Sequence, residues 1–106
     1  MSSEGRRSPR FAFYASAEIT ELQTQTRLTT RTSELSRYGC YMDMLNPLPL
    51  GTAVKIQLIH HEQTFDATGH IIYSQPNMGM GLVFDEIEAG YVLVLEKWLS
   101  DLSGSS

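Results

Sequence analysis

The stretch Glu34-Leu35-Ser36-Arg37-Tyr38-Gly39 lies between two segments that alternate like β-strands, and it is itself too polar for a buried strand. It therefore marks the end of one strand. Residues two apart in an extended chain point to the same side, so Glu34 and Ser36 can face one ligand together, while Gly39 can adopt the positive φ of a turn. A hairpin turn without a binding role has a similar composition, so both interpretations stay open on this stretch alone.

A second polar segment, Arg6-Arg7-Ser8-Pro9-Arg10, precedes the first strand-like run. Because Pro9 blocks helix propagation and favours extended chain before it, Arg6 and Arg10 can close on a small anion from two sides. The alternative interpretation of this arginine arm, residues 6–10, is a solvated basic tail.

Length and charge limit the class of protein. The chain has 106 residues, enough for one domain with a core, and its net charge of −4 argues against a general nucleic-acid binder. No apolar run approaches the roughly 20 residues that span a bilayer, and the N-terminus lacks the apolar segment of a signal peptide. We therefore expect no membrane insertion and a cytoplasmic location. The single cysteine, Cys40, is predicted to be a small core residue.

Alternating apolar residues predict an all-β-dominated domain with six antiparallel strands, the first over residues 11–20. In the predicted fifth strand one face is shared by Phe65, Ala67, Gly69, Ile71 and Tyr73. Polar, proline-rich or glycine-rich segments predict turns at residues 23–25, 34–39, 46–51, 60–63 and 75–77.

A single helix is predicted after the sixth strand. Asp85 and Glu88 have the N-cap and N3 pattern of a helix start, and apolar residues then recur every three or four positions to Leu102. Six strands and one helix predict a small barrel or sandwich. The expected boundaries are a flexible N-terminus at residues 1–5, the domain at 6–102 and a flexible C-terminus at 103–106.

Three histidines, His60, His61 and His70, raise the question of a metal site. Neighbouring residues on a strand point to opposite faces, so His60 and His61 would diverge, and no spacing matches a zinc pattern. The motifs also contain no nucleophile–base pair and no paired carboxylates. We therefore expect no metal site and no enzymatic activity.

The two polar segments and the strand order resemble the PilZ domain family, receptors for the bacterial second messenger cyclic di-GMP. The family pattern R-x-x-x-R before the first strand is matched by Arg6 and Arg10. The pattern [D/N]-x-S-x-x-G at the end of the second strand is matched by Ser36 and Gly39, but Glu34 stands where the family has Asp or Asn. The resemblance implies a six-stranded antiparallel β-barrel with one C-terminal α-helix that binds a ligand without catalysis.

The resemblance also implies a cyclic di-GMP site formed by Arg6, Arg7, Arg10, Glu34, Ser36 and Gly39. A guanidinium can pair with phosphate, stack on a purine or donate twice to guanine, and an acid can accept hydrogen bonds from a guanine. We expect a receptor module whose arginine arm becomes ordered on binding and which signals through a protein partner. The alternatives are a degenerate PilZ domain that binds only protein, which the substitution at Glu34 favours, and an enzyme acting on a nucleotide.

Overall fold

The computed structural model describes residues 9–104 of the chain. Arg6 and Arg7 lie outside the described residues, as does the predicted flexible segment 1–5. Within the described range the chain forms seven strands, a short 3-10 helix and an α-helix. Their bounds are β1 Phe11–Ala12, β2 Ser16–Glu21, β3 Arg27–Leu35, β4 Gly39–Asp43, β5 Ala53–His60, β6 Gln63–Gln75, β7 Gly79–Ile87, the 3-10 helix Ala89–Tyr91 and α1 Val92–Leu102.

Six of the strands close into an antiparallel barrel. The pairing order runs β3, β2, β5, β6, β7, β4, and β4 pairs back onto β3, so that the sheet has no open seam between its first and last strands. The two-residue strand β1 adds to β3 outside this cycle. The predicted six-stranded antiparallel barrel with one C-terminal helix is confirmed, with β1 as an extra strand.

The first predicted strand is interrupted at residues 13–15, where a side chain of β3 forms hydrogen bonds with the backbone. The hydroxyl of Thr32 donates to the Phe13 carbonyl at 2.6 Å and accepts from the Ala15 amide at 3.0 Å. Thr32 is only 1% exposed, and these bonds satisfy both its own oxygen and the backbone groups at the interruption. Phe13 and Ala15 are nevertheless buried, so buried and exposed side chains still alternate through the interruption.

The predicted helix start is wrong. Asp85 lies in β7, which continues to Ile87 because its last residues still pair with β6, and α1 begins only at Val92. The Asp85 carboxylate instead contacts the His70 Nδ1 at 2.9 Å. The helix covers one end of the barrel with three buried side chains, Leu95, Trp98 and Leu99.

The C-terminal end of α1 is capped. The amide of Ser103 donates to the Leu99 carbonyl at 2.9 Å, and Gly104 follows with a φ of 81°, the left-handed conformation usual after a helix. Ser103 and Gly104 thus belong to the cap of α1, whereas residues 105–106 lie outside the described range.

The rings of His60 and His61 do not diverge as expected. His61 and Glu62 both have positive φ in a two-residue hairpin loop, and this turns the His61 ring onto the His60 ring at a centroid distance of 4.0 Å. Across residues 9–104, no three His, Cys, Asp or Glu side chains are grouped so that they could hold a metal ion. In the same range no helix is long and apolar enough to cross a membrane.

Barrel closure brings the backbone of β4 very close to that of β7 at Gly39. Gly39 pairs with Val83, and a Cβ on Gly39 would overlap the Leu82 carbonyl oxygen and lie 3.1 Å from the Val83 Cα. Gly39 does not have a positive φ. The expectation of a positive-φ turn at Gly39 is therefore wrong, and the glycine is required by close approach.

We predict that Gly39→Ala destabilises the domain by about 1–3 kcal/mol, because the added methyl must push two paired backbones apart. Urea unfolding followed by Trp98 fluorescence would measure the change. The matched control is Gly90→Ala, where the added Cβ meets no atom within 4 Å, and its free energy of unfolding should stay near the native value. Equal stability of the Gly39 and Gly90 variants would contradict the packing argument.

Candidate functional site

An open cleft of about 720 Å³ lies on the outer surface of the barrel, beside the turn that joins β3 to β4. Strands β3, β4, β6 and β7 all contribute to it, together with Arg10 from the segment before β1. The cleft is lined by Arg10, Glu34, Leu35, Ser36, Tyr38, Gly39, Cys40, Tyr41, Ile72, Tyr73, Gly81, Leu82 and Val83.

One side of the cleft carries an ion pair between Arg10 and Glu34. Strand β1 pairs with the end of β3, Ala12 opposite Glu34, and this brings the Arg10 Nη1 to 3.8 Å from the Glu34 Oε1. The two side chains remain 75% and 45% exposed. Such an exposed, loose pair contributes little to stability. Either side chain could therefore leave the ion pair and contact a ligand with little loss of stability.

The hydroxyl of Ser36 organises the turn at the edge of the cleft. It accepts from the Tyr38 amide at 3.2 Å and donates to the Gly39 carbonyl at 3.4 Å, while the Ser36 amide donates to the same carbonyl at 2.9 Å. The Tyr38 carbonyl accepts from the Phe84 amide at 2.8 Å, which ties the turn to β7. The hairpin-turn interpretation is thus correct for the backbone, and the turn also lines a cleft.

The other side of the cleft is aromatic. Tyr41 pairs with Glu34 on β3 and with Gly81 on β7, and Gly81 pairs in turn with Tyr73 on β6. The rings of Tyr41 and Tyr73 lie 6.0 Å apart on either side of Gly81. Burial and, to smaller extents, the neighbouring Tyr73, Asp43 and Glu34 raise the pKa of Tyr41 above its ordinary value. Its phenol therefore stays protonated at neutral pH and can donate a hydrogen bond.

Sequence reasoning missed Tyr41 and Tyr73. The sequence predicts that Tyr73 shares a face with Ile71, which is buried, but the pairing register of β6 and β7 shifts between these two residues, and Tyr73 is 44% exposed beside the cleft. Gly81 was the available signal, because a glycine inside a strand often marks a place where another group approaches the backbone.

Cys40 contributes to the lining of the cleft but is buried, as the sequence predicted. Burial raises the pKa of its thiol to about 12. The thiolate, which is the reactive form, is therefore almost absent at neutral pH. Cys40 acts here as a small apolar residue of the core.

Four of the six predicted site residues, Arg10, Glu34, Ser36 and Gly39, line this single cleft. They come from two segments separated in sequence, which the pairing of β1 with β3 brings together. Arg6 and Arg7 lie outside the described residues, so their membership of the site remains a prediction.

Solved structures show the same fold in other proteins. The inhibitor of motility MotI/DgrA from Bacillus subtilis is similar with a TM-score of 0.75 and 14% identity over 95% of this chain, which spans about half (52%) of that protein. The PilZ domain of YcgR from Escherichia coli, solved with c-di-GMP, has a TM-score of 0.69 and 16% identity over 93% of this chain and 92% of its own.

A third structure, the PilZ domain of CeSA from a cellulose-synthesizing bacterium, has a TM-score of 0.67 and 18% identity over 92% of this chain and 97% of its own. Comparison with curated protein sequences finds no match. The model of the PilZ domain family, however, matches residues 4–101, which is nearly the whole chain. As the two polar motifs and the barrel indicated, this chain belongs to the PilZ domain family.

Proposed function

We propose that this chain is a cyclic di-GMP receptor without catalytic activity, and that Arg10, Glu34, Ser36 and Gly39 form part of its binding site. The observation that carries the proposal is the convergence of these four residues on one open cleft. The YcgR domain, which has the same fold, was solved with c-di-GMP. That structure supports the ligand class for the family to which this chain belongs.

The chemistry of the polar side of the cleft suits this ligand. Cyclic di-GMP carries two phosphodiester charges and two guanines. A guanidinium such as that of Arg10 can pair with a phosphate or donate twice to a guanine edge. The Glu34 carboxylate can accept from the N1–H and amino group of a guanine. Because both side chains are largely exposed, the ligand does not have to displace a buried ion pair.

We further propose that the arginine arm closes over the bound ligand, with Arg6 and Arg7 adding contacts to it. The arm carries three arginines, whose mutual repulsion is relieved when phosphates neutralise them. Closure would change the protein surface beside the cleft. We propose that a partner protein recognises this changed surface, which would make the domain an effector.

A second candidate function is a PilZ domain that binds protein but no nucleotide. The supporting observation is that Glu34, where the family has Asp or Asn, already contacts Arg10 at 3.8 Å. A longer acid that neutralises the arginine could take the place of the ligand. Titration of the purified protein with cyclic di-GMP separates the two functions, because the second predicts no binding heat and no change in the protein.

Replacing Arg10 with alanine should weaken cyclic di-GMP binding by roughly 10- to 100-fold, since a hydrogen bond to a charged group contributes about 1.5–3 kcal/mol. Isothermal titration would measure the affinities. All variants are compared at one salt concentration, because phosphate contacts make the affinity salt-dependent. Arg31→Ala is the matched control, since Arg31 is an exposed cation on β3 that does not line the cleft. Equal affinities of the Arg10 and Arg31 variants would contradict the role of Arg10.

Closure of the arginine arm predicts slower amide exchange at residues 6, 7, 8 and 10 when cyclic di-GMP binds, because the ligand would hold these amides in one arrangement. Hydrogen exchange of the free and bound protein would test this. The Glu21–Thr26 turn, whose amide and carbonyl are bonded at 2.8 Å, serves as an internal control away from the cleft. Arm amides that are already protected without ligand would overturn the closing mechanism.

Shortening the acid by Glu34→Asp should tighten binding modestly, about 2- to 10-fold, corresponding to about 0.5–1.5 kcal/mol for one better-placed hydrogen bond. The shorter side chain loses less rotamer freedom when it is held against a guanine. Glu34→Ala should weaken binding. Isothermal titration of the three proteins decides: weaker binding by the aspartate variant would mean that the local backbone has adapted to glutamate.

A further inference from the structure

The end of the barrel opposite α1 is formed by three uncharged connections. Trp98 of α1 contacts His60 at the end of β5 and Phe65 near the start of β6, so the helix covers one end of the barrel. At the other end, β2 joins β3, β4 joins β5 and β6 joins β7 through residues 22–26, 44–52 and 76–78. Charged residues make up 19% of the chain, but these three connections contain none. We call this surface the uncharged end.

Backbone hydrogen bonds hold the three connections side by side. The Asn77 amide in the third connection donates to the Leu45 carbonyl in the second at 2.8 Å. The Leu22 amide in the first connection donates at 3.0 Å to the carbonyl of Ala53, which directly follows the second. The uncharged end is therefore one continuous surface and not three separate loops.

The uncharged end exposes apolar side chains that the core does not use. Met44 and Leu48 of the second connection pack against the buried residues and so close the core at this end. Four other large side chains of the connections are between 42% and 66% exposed: Leu22, Leu45, Leu50 and Met78. Exposed apolar residues that are grouped on one surface typically mark a site of association.

The charged residues at the rim of this surface indicate the kind of partner. Glu21 ends β2, Asp43 ends β4 and Arg27 begins β3, so acids outnumber bases at the rim. Anionic membranes and nucleic acids both require a basic surface, which this end does not offer.

A second copy of the chain fits the same surface. Each copy has a net charge of −4, so two copies repel each other when charged faces meet, and the uncharged end avoids this repulsion. In a twofold arrangement each copy contributes the same patch. Arg27 of each copy can then face an acid on the rim of the other.

We propose that the uncharged end is a self-association surface through which two copies of this chain form a twofold dimer. Contact removes Leu22, Leu45, Leu50 and Met78 of both copies from water, and this burial drives the association. The proposal goes beyond the receptor function and does not depend on it, because the cleft is lined by other residues.

Sedimentation velocity of the full chain over about 1 μM to 1 mM, which covers weak protein association, should show a reversible monomer–dimer equilibrium. Leu45→Glu should raise the dissociation constant roughly 10-fold or more, because a twofold contact brings two new carboxylates together in apolar surroundings. Leu93→Glu is the matched control and should dimerise like the native chain, since Leu93 is 73% exposed but lies on α1 at the opposite end.

Met78→Glu tests a second connection of the same surface and should weaken the dimer in the same way. Both variants should melt near the native temperature, because both positions are exposed. NMR of a mixture of ¹³C-labelled and unlabelled native chains gives a readout without substitution. Intermolecular contacts should appear at the methyl groups of Leu45, Leu50 or Met78. Added salt should not weaken the dimer, because ions screen charged contacts and not apolar ones.

Each outcome supports or overturns the dimer. A native chain that stays monomeric up to the highest concentration would overturn it, as would a dimer that both glutamate variants leave intact or whose NMR contacts map to α1. A monomer that cosediments with phosphatidylcholine–phosphatidylglycerol vesicles, but not after Leu45→Glu, would assign the surface to a membrane instead. Weaker association in both variants, with the Leu93 variant unchanged, would support the proposal.

Discussion

The contact between the backbones of β4 and β7 at Gly39 is the constraint on which the rest of the structure depends. Gly39 ends the turn, because its carbonyl accepts from both the amide and the hydroxyl of Ser36. It also begins β4, where the absence of a Cβ allows the Leu82 carbonyl to approach. A larger residue would separate β4 from β7, and the barrel would lose one of its closing pairs. The turn and the barrel are therefore joined at one residue.

Closure of the barrel creates the cleft. Once β4 is held between β3 and β7, outward residues of four strands fall into one row, and the acid of β3 comes next to the tyrosines of β4 and β6. The strand β1 then adds Arg10 to the same place through its pairing with β3. The polar and aromatic sides of the cleft thus follow from strand register and not from a flexible loop. A site held by paired strands is well suited to a rigid, planar ligand.

The structures of similar fold share only 14–18% of their residues with this chain. Such low identity is compatible with a common barrel, because a core accepts many apolar combinations if volume and alternation are kept. Close backbone contacts are less tolerant, since a Cβ at such a position has no space. Glu34, which stands where the family has Asp or Asn, is a different kind of change, because it lengthens a side chain at the cleft and does not alter the barrel.

The sequence by itself indicated the class of fold and four of the residues that line the cleft. Alternating residues and turn segments indicated a small antiparallel barrel or sandwich, because these patterns are local and depend on period and residue type. The resemblance to the PilZ family implied that Arg10, Glu34, Ser36 and Gly39 belong together, and the structure brings these four residues to one cleft. The sequence also indicated that Cys40 is buried. Tertiary structure decided the features that depend on pairing between distant strands.

The register shift before Tyr73 turned that ring outward, the continued pairing of β7 delayed the helix to Val92, and close packing rather than turn geometry required Gly39. In each case the local pattern was compatible with two conformations. The energy of contacts with a distant strand selected one of them, and a one-residue change of register is sufficient to move a side chain from the core to the cleft.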